Sequence, residues 1–171
     1  LDRLFASPSL TGQTTLGIKY SPDAARVTFL KPRPDDQQRH DLWQFDVETG
    51  APSLLVDSLL LEPEEIVLSE EEIAQRERKR IAGRTGILDY SWGTATTILV
   101  PLGGNLHLVT LTEDSPQVRQ LTDTDAFDYD ARISPKGTYA SFIRDGALWI
   151  VDLATGDEKR ASPPAEPSKS L

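Results

Sequence analysis

The sequence predicts an all-β fold, a partial β-propeller of about three four-stranded antiparallel blades with one helical insertion. Two observations lead to this prediction. A pattern of short strands and tight turns occurs three times, at about residues 16–57, 88–122 and 129–160, and a helical pattern at residues 69–83 interrupts it after the first copy. A four-stranded unit that recurs at this period is typical of propeller blades, which bury their faces against neighbouring blades. Three blades do not close a ring.

The third copy shows the unit most clearly. Ser134-Pro135-Lys136-Gly137 predicts a tight turn, because proline presets φ and glycine accepts a positive φ. Residues that favour strands fill positions 138–143 and 147–153, and Asp145-Gly146 between them is a hairpin signal. Together with the strand before the first turn, these segments predict three strands joined by two reversals.

The first copy follows the same order. Its strands are predicted at residues 16–20, 27–30, 42–50 and 53–56, with Ser21-Pro22-Asp23 at the first turn. Both copies end in Leu-Trp, two residues, Asp, two residues and Thr-Gly. The first copy differs by a longer excursion at residues 31–41, whose prolines and charges predict a protruding hairpin loop.

The second copy is weaker. Its strands are predicted at residues 89–92, 98–102, 106–111 and 117–121, with Gly103-Gly104-Asn105 as the turn between the middle two. The alternative fold is a β-sandwich with coincidentally similar hairpins. The Leu-Trp, Asp and Thr-Gly positions shared by the first and third copies favour the propeller.

The insertion carries helix signals at both ends. Ser69 with Glu72 is a capping-box pair, and Gly83 is a C-terminal stop signal. The basic residues near its end are Arg76, Arg78, Lys79 and Arg80. The apolar residues are few, chiefly Ile73, Ala74 and Ile81, so we expect an exposed helix with a thin buried stripe. Its arginines either serve the helix dipole and local ion pairs, or present a guanidinium to a carbonyl or carboxylate.

Composition excludes several classes of partner and site. The 27 acidic and 18 basic residues give a net charge of −9, which disfavours nucleic acid and anionic membrane surfaces. The chain has no cysteine, which excludes disulfides and thiolate metal sites. No apolar run reaches the roughly 18 to 20 residues needed to cross a bilayer. Because the chain begins at Leu1 and has no methionine, we expect a soluble fragment of a longer protein.

The sequence shows no complete catalytic motif. A Gly-x-Ser-x-Gly elbow, a Walker loop and a dinucleotide fingerprint are all missing from these residues. Adjacent strand residues point to opposite faces, so His40 and Asp41 are not expected to form a catalytic pair. His107 lies between two leucines and is expected on the opposite face of its strand from them. We expect neither histidine to be catalytic.

Four aspartates precede the third copy or open it: Asp123, Asp125, Asp128 and Asp130. An EF-hand calcium loop needs glycine at its sixth position and glutamate at its twelfth, where this sequence has Asp128 and Ser134. We therefore interpret the segment as an acidic loop between blades and expect no metal or other cofactor.

Three motifs and the blade copies together resemble the N-terminal region of bacterial dipeptidyl peptidase IV, in the prolyl oligopeptidase clan. The motifs are Asp2-Arg3-Leu4-Phe5-Ala6-Ser7-Pro8, the helical run from Ser69 to Ile81, and Pro101-Leu102-Gly103-Gly104-Asn105-Leu106. The resemblance covers nearly the whole chain. It implies an eight-bladed propeller over a C-terminal α/β-hydrolase domain with a Ser-Asp-His triad, a homodimer, and a periplasmic or secreted location.

The resemblance also implies a substrate and its contacts. Family members release dipeptides from the N-termini of peptides whose second residue is proline or alanine. In these proteins paired glutamates bind the free amine of the substrate, and an arginine binds the substrate backbone. The bacterial helical insertion points to Arg80, with Arg76 and Arg78 as neighbours, and Arg39 on the first hairpin is the competing candidate. The chain stops before the place of the glutamate pair, and neither Glu64-Glu65 nor Glu70 to Glu72 takes that place.

The leading hypothesis is the substrate-gating propeller of a serine dipeptidyl peptidase, not catalytic alone. The alternative is a non-catalytic propeller that binds proteins through loops such as residues 31–41. A homologue whose hydrolase domain has lost its serine is a third reading. In every case an open partial ring exposes sheet edges, so we expect dimers or aggregates of this chain.

Overall fold

The computed structural model describes residues 14–62, 70–78 and 83–163. Its elements are β1 (Leu16–Tyr20), β2 (Arg26–Pro32), β3 (Arg39–Asp46), β4 (Pro52–Val56), α1 (Ser58–Leu61), α2 (Glu70–Arg78), β5 (Thr85–Gly86), β6 (Ser91–Thr94), β7 (Thr97–Leu102), β8 (Asn105–Thr110), β9 (Gln117–Gln120), β10 (Tyr129–Ile133), β11 (Tyr139–Arg144), β12 (Ala147–Asp152) and β13 (Glu158–Arg160). Blade 1 is β1 to β4, blade 2 is β6 to β9 and blade 3 is β10 to β13, each in chain order and antiparallel. The described chain is therefore nearly all-β, as the sequence predicts.

The loop of the blade 1 hairpin is shorter than expected. The prediction of a loop over residues 31–41 is wrong, because β2 runs to Pro32 and β3 begins at Arg39. The connection is residues 33–38. Pro32 is tolerated in β2 because β1 pairs no further along that strand than Leu30, so the missing N–H removes no bond of the β1–β2 ladder.

Blade 2 lies between the other two blades and buries both faces. The cluster shared with blade 1 contains Leu30, Leu42, Val56, Ile98, Val100, Leu102 and Val109. The cluster shared with blade 3 contains Leu99, Leu106, Leu108, Leu121, Ala140, Phe142, Val151 and Leu153. Burial on both faces explains why β7 reads as a continuous apolar run instead of an alternating one.

A buried hydrogen-bond group joins blade 1 to the start of blade 2. The Tyr90 hydroxyl donates to the Gly17 carbonyl at 2.6 Å and lies 2.9 Å from Thr28 Oγ1. The Trp92 indole donates to the same Thr28 oxygen at 3.1 Å. Burial raises the pKa of Tyr90 to about 12, so the phenol remains a neutral donor. Buried polar groups are thus paired across the blade boundary.

Arg144, at the end of β11, anchors blade 3 to the segment that leads into it. Its Nε and Nη2 donate to the two carboxylate oxygens of Asp128 at 2.6 and 2.7 Å, and its Nη1 donates to Glu158 Oε2 at 2.5 Å. The guanidinium carbon lies 4.9 Å from the ring centre of Phe142 and 5.2 Å from that of Trp149. Asp128 lies in the connection between blades 2 and 3, as the sequence predicts, and its carboxylate is buried and paired there.

The helical insertion forms but presents a different face from the one expected. Ser69 and residues 79–82 lie outside the described residues. Ile73 and Ala74, predicted as a buried stripe, are exposed, whereas Arg76 is buried. Two short elements were not predicted: α1, capped by the Asp57 carboxylate, and β5, which pairs in parallel with β3. No helix in the described part of the chain is long and apolar enough to span a membrane.

Candidate functional site: a cavity at the connector end of the blades

The two ends of the sheets carry different connections. Because neighbouring strands are antiparallel, the turn between the second and third strands of each blade lies at the same end as the connections between blades. The connection from blade 1 to blade 2 contains α1, α2 and β5, and the connection from blade 2 to blade 3 ends at Asp128. The irregular segments that can carry function are therefore concentrated at one end of the sheets.

A cavity of about 370 Å³ lies at this end. It is lined by Arg76, Gly86, Leu88, Asp89, Pro101, Leu102, Gly103, Gly104, Phe127, Asp128, Tyr129, Asp130 and Ala131. These residues come from the end of β7 and the β7–β8 turn, from both connections between blades, from α2 and from the start of β10. The cavity is thus built where the repeats are interrupted, on a rigid base supplied by blade 2.

The β7–β8 turn positions two of the walls. Gly103 and Gly104 have φ of +63° and +77°, which suits the two-residue hairpin turn that the sequence predicts. A Cβ atom on Gly103 would lie 2.9 Å from a carboxylate oxygen of Glu62, so glycine leaves room for that side chain. The Gly104 carbonyl accepts from the Asp128 amide at 2.9 Å. This bond fixes the second connection against the turn.

Arg76 brings a guanidinium to the cavity wall. The residue is 7% exposed, and its Nη1 donates to the Arg84 carbonyl at 2.7 Å. That bond holds the last turn of α2 against the chain that leads into β5. A guanidinium held in a partly desolvated wall is suited to donate to a carbonyl or a carboxylate.

The carboxylates around the cavity differ in availability. Both oxygens of Asp128 are taken by Arg144. Asp89 and Asp130 are largely exposed; Asp89 pairs with Lys19 at 3.3 Å and Asp130 pairs with Arg132 at 3.1 Å. Exposed ion pairs of this kind are weak, so the carboxylates of Asp89 and Asp130 can exchange their present partners for another cation at little cost.

Two stacked aromatic rings add an apolar wall. The Phe127 and Tyr129 ring centres are 5.8 Å apart and the ring planes differ by 16°. Both rings line the cavity. The cavity therefore combines one guanidinium, two accessible carboxylates and an aromatic surface, which can bind a small polar ligand with an apolar part.

The predicted arginines that the structure describes lie in three different environments. Arg76 lines the cavity, as described above. Arg39 instead ties β3 to α1: its Nε donates to Ser58 Oγ at 2.8 Å and its Nη2 to the Glu62 carbonyl at 2.5 Å. Arg78 is exposed and donates to the Ala74 carbonyl of its own helix at 3.2 Å. Arg80 lies outside the described residues and stays a prediction.

Neither histidine is arranged as a base. His40 Nδ1 lies 3.0 Å from the Gln38 carbonyl, and the Asp41 carboxylate accepts from the Ser58 amide and from Arg33. His107 pairs with Val100 across the sheet, on the opposite face of β8 from the two leucines, and is 5% exposed. Burial lowers the pKa of both histidines.

Sequence reasoning missed most of the cavity. Asp89, Phe127, Tyr129 and Asp130 were not proposed as site residues. One signal was present: an Asp-Tyr pair occurs at residues 89–90 and again at 128–129, just before or at the first strand of each of the last two blades. Among the described residues no group of three His, Asp or Glu side chains is placed to hold a metal ion.

Comparison with known proteins supports the fold. No family model matches the chain. Among solved structures, the chain is similar to dihydro-heme d1 dehydrogenase NirN in complex with DHE, with a TM-score of 0.52 and 13% sequence identity. The match covers 89% of this chain and 28% of that one, so this chain spans just over a quarter of the length of the NirN chain. At this identity the likeness concerns the fold alone, and it places the three described blades in a propeller-like fold.

Proposed function

We propose that this chain is the substrate-gating and substrate-recognising propeller region of a serine dipeptidyl peptidase that releases N-terminal X-Pro or X-Ala dipeptides. The region is not catalytic alone. The proposal includes an eight-bladed ring, a hydrolase domain that carries the Ser-Asp-His triad, a homodimeric parent and a periplasmic or secreted location. The observation that supports it best is the position of Arg76, one of the arginines expected to hold substrate, in the wall of the cavity.

The chemistry of the cavity suits the end of a peptide. A guanidinium that donates to a substrate carbonyl or carboxylate contributes about 1.5–3 kcal/mol. Asp89 and Asp130 favour a cationic group such as a free α-amine, and the rings of Phe127 and Tyr129 offer apolar surface to a side chain. The volume of about 370 Å³ lies at the lower end of the range for small-ligand pockets.

In this proposal, substrate binding and hydrolysis take place in different domains. Nothing in the cavity supplies a nucleophile paired with a base among the described residues, so its groups bind and orient and leave hydrolysis to the triad of the second domain. Fixing the backbone carbonyl and the amine of a peptide determines how far its chain reaches toward that triad. Dipeptide release then follows from the length of peptide that fits.

The test is kinetic and uses matched arginine variants of one helix. In the peptidase that contains this region, Arg76→Ala should lower kcat/KM for an Ala-Pro substrate by about 10- to 100-fold, because a charge-assisted hydrogen bond to substrate is lost. Arg78→Ala is the control, since Arg78 is exposed, outside the cavity wall and on the same helix. Arg80→Ala, measured in parallel, tests the remaining arginine of the helix end.

Equal kcat/KM values for the wild type and Arg76→Ala would refute the role of Arg76. A loss of equal size in Arg78→Ala would show that the helix acts by its charge alone. Retained activity with N-acetylated substrates would contradict recognition of the free amine.

A further inference from the structure

The two exposed carboxylates of the cavity wall, Asp89 and Asp130, are held by their partners in different ways. Asp89 Oδ1 accepts from the Tyr90 amide at 2.8 Å and from Lys19 Nζ at 3.3 Å. The Lys19 ammonium also donates to the Tyr90 carbonyl and lies 4.3 Å from the centre of the Tyr90 ring. The contacts with Tyr90 therefore keep Lys19 beside Asp89 independently of the ion pair itself.

The cation beside Asp130 is held less firmly. Arg132 Nη2 donates to Asp130 Oδ1 at 3.1 Å, and within the described part of the chain this carboxylate is the only polar partner of the Arg132 guanidinium. The Arg132 side chain is 75% exposed, whereas that of Lys19 is 38% exposed. Solvent screening and side-chain entropy offset most of the attraction in such a pair. Of the two carboxylates, Asp130 is therefore the one at which another cation replaces the present partner more easily.

Comparison of blades 1 and 3 shows that the fold does not need the Asp130 side chain. The first strand of each blade contains the same irregularity, and the cross-strand pairs on either side of it correspond: Leu16 with Leu30 and Lys19 with Thr28 in blade 1, Tyr129 with Ile143 and Arg132 with Ser141 in blade 3. By this correspondence Gly17 is equivalent to Asp130. Their φ values are +58° and +51°. Blade 1 thus forms the irregularity with no side chain at this position.

The backbone at Asp130 favours glycine, yet blade 3 has a carboxylate there. A left-handed conformation costs any other residue free energy, although aspartate and asparagine adopt it more readily than most. Asp130 lines the cavity together with Arg76 and Tyr129. Residues in such conformations are found mainly where a site uses their side chains. The position of Asp130 therefore agrees with its exchangeable ion pair in indicating a ligand contact.

We propose that Asp130 is the carboxylate that binds the α-amine of the peptide, and that Arg132 is a built-in competitor which this amine displaces. The inference rests on the proposed function, because it concerns the same cavity and names the residue that distinguishes a free N-terminus from a blocked one. The affinity for a peptide then depends on how strongly Arg132 holds Asp130 as well as on the contacts of the peptide. Asp89 contributes less, since Lys19 stays beside it.

The test is an amide NMR titration of the 171-residue chain with an Ala-Pro peptide, in which shift changes at Gly103 and Gly104 give the dissociation constant. Asp130→Asn removes the charge and keeps a residue that accepts a positive φ. We expect this variant to bind the free peptide about 2- to 5-fold more weakly, with no further loss for the N-acetylated form. Asp89→Asn should cause a smaller loss.

Asp145→Asn is the matched control. Asp145 also has a φ of +51° and is exposed, but it lies outside the cavity wall. Its substitution removes the same charge from the chain and should leave the dissociation constant unchanged. A loss in Asp145→Asn as large as that in Asp130→Asn would mean that overall charge explains the effect, which would contradict the inference.

Arg132→Gln tests the competitor. We expect it to bind the free peptide about 2- to 5-fold more tightly, because the amine no longer has to displace a guanidinium. In the Asp130→Asn background the same change should have no effect, since Arg132 competes only through the carboxylate that it occupies. An equal gain in both backgrounds would show a general effect of charge and rule out displacement.

Equal affinities of the wild type and Asp130→Asn, or a larger loss in Asp89→Asn, would overturn the assignment of Asp130. If Arg76→Ala still weakens binding in that case, the proposed function stands and only this inference fails. A wild-type chain that does not bind the Ala-Pro peptide would overturn both.

Discussion

Gly86 offers a test of how the first connection is attached to the blades. Its φ is +72°, and an added Cβ would lie 2.5 Å from the His40 carbonyl oxygen and 2.9 Å from the His40 amide nitrogen. Both atoms belong to the backbone of β3 and cannot rotate away. Gly83 is the matched control, since its φ is +81° and a Cβ there meets nothing within 4 Å.

The expected difference in stability between Gly86→Ala and Gly83→Ala follows from the contacts that an added Cβ makes at each site. Both alanine variants pay about 1–2 kcal/mol for a left-handed backbone, and this cost cancels in the comparison. Gly86→Ala must also push β5 from β3, which weakens the bonds from Thr85 N to Gln38 O at 2.8 Å and from Ile87 N to His40 O at 2.9 Å. At about 0.5–1.5 kcal/mol each, their loss makes Gly86→Ala less stable than Gly83→Ala by about 1–3 kcal/mol.

Urea unfolding followed by tryptophan fluorescence measures the difference, with the free energy of unfolding extrapolated to water. Equal stabilities for the two variants, within about 0.5 kcal/mol, would refute the assigned contact between β5 and β3. Because Gly86 lines the cavity, we also expect peptide binding to weaken in Gly86→Ala and to persist in Gly83→Ala.

Two further predictions concern buried charge. Arg144→Met should lower the free energy of unfolding by about 3–5 kcal/mol, since it leaves the Asp128 carboxylate buried without its partner. Glu158→Gln is the comparison and should lower the free energy of unfolding by less. Urea unfolding of both variants measures the two losses, and equal losses would contradict the prediction. Burial lowers the pKa of His107 in the folded chain, so the unfolded chain binds its proton more readily and stability falls as pH drops below about 6.5. His107→Leu should flatten this fall between about pH 7 and 5, and an unchanged pH profile would contradict it.

The strands were predictable because their signals are local. The run at residues 138–143 and the Asp145-Gly146 turn agree with β11 and its hairpin to within one residue. The helix of the insertion was also predicted, from its capping and charge pattern. In contrast, α1 has four residues and depends on Arg39, which binds Ser58 and the Glu62 carbonyl from another strand. No local pattern encodes such a contact.

The cavity was less predictable than the blades. Its arginine came from a resemblance to a known family, and local reasoning assigned the buried face of α2 to Ile73. Arg76 is buried instead because a carbonyl of the following segment accepts from its guanidinium, which offsets the desolvation cost. The aromatic wall depends on how the second connection lies against the β7–β8 turn, and that is fixed by the bond between Asp128 and Gly104.

The central claim is that the connector-end cavity binds the free N-terminus of a peptide. The most direct measurement is a two-dimensional amide NMR titration of the 171-residue chain with an Ala-Pro peptide and with its N-acetylated form. We predict chemical-shift changes at Gly103, Gly104, Phe127 and Tyr129 with the free peptide and much weaker changes with the acetylated form. In Arg76→Ala we expect these changes to be lost with either peptide. Shifts confined to the hairpin at residues 33–38, or none at the cavity, would contradict the claim.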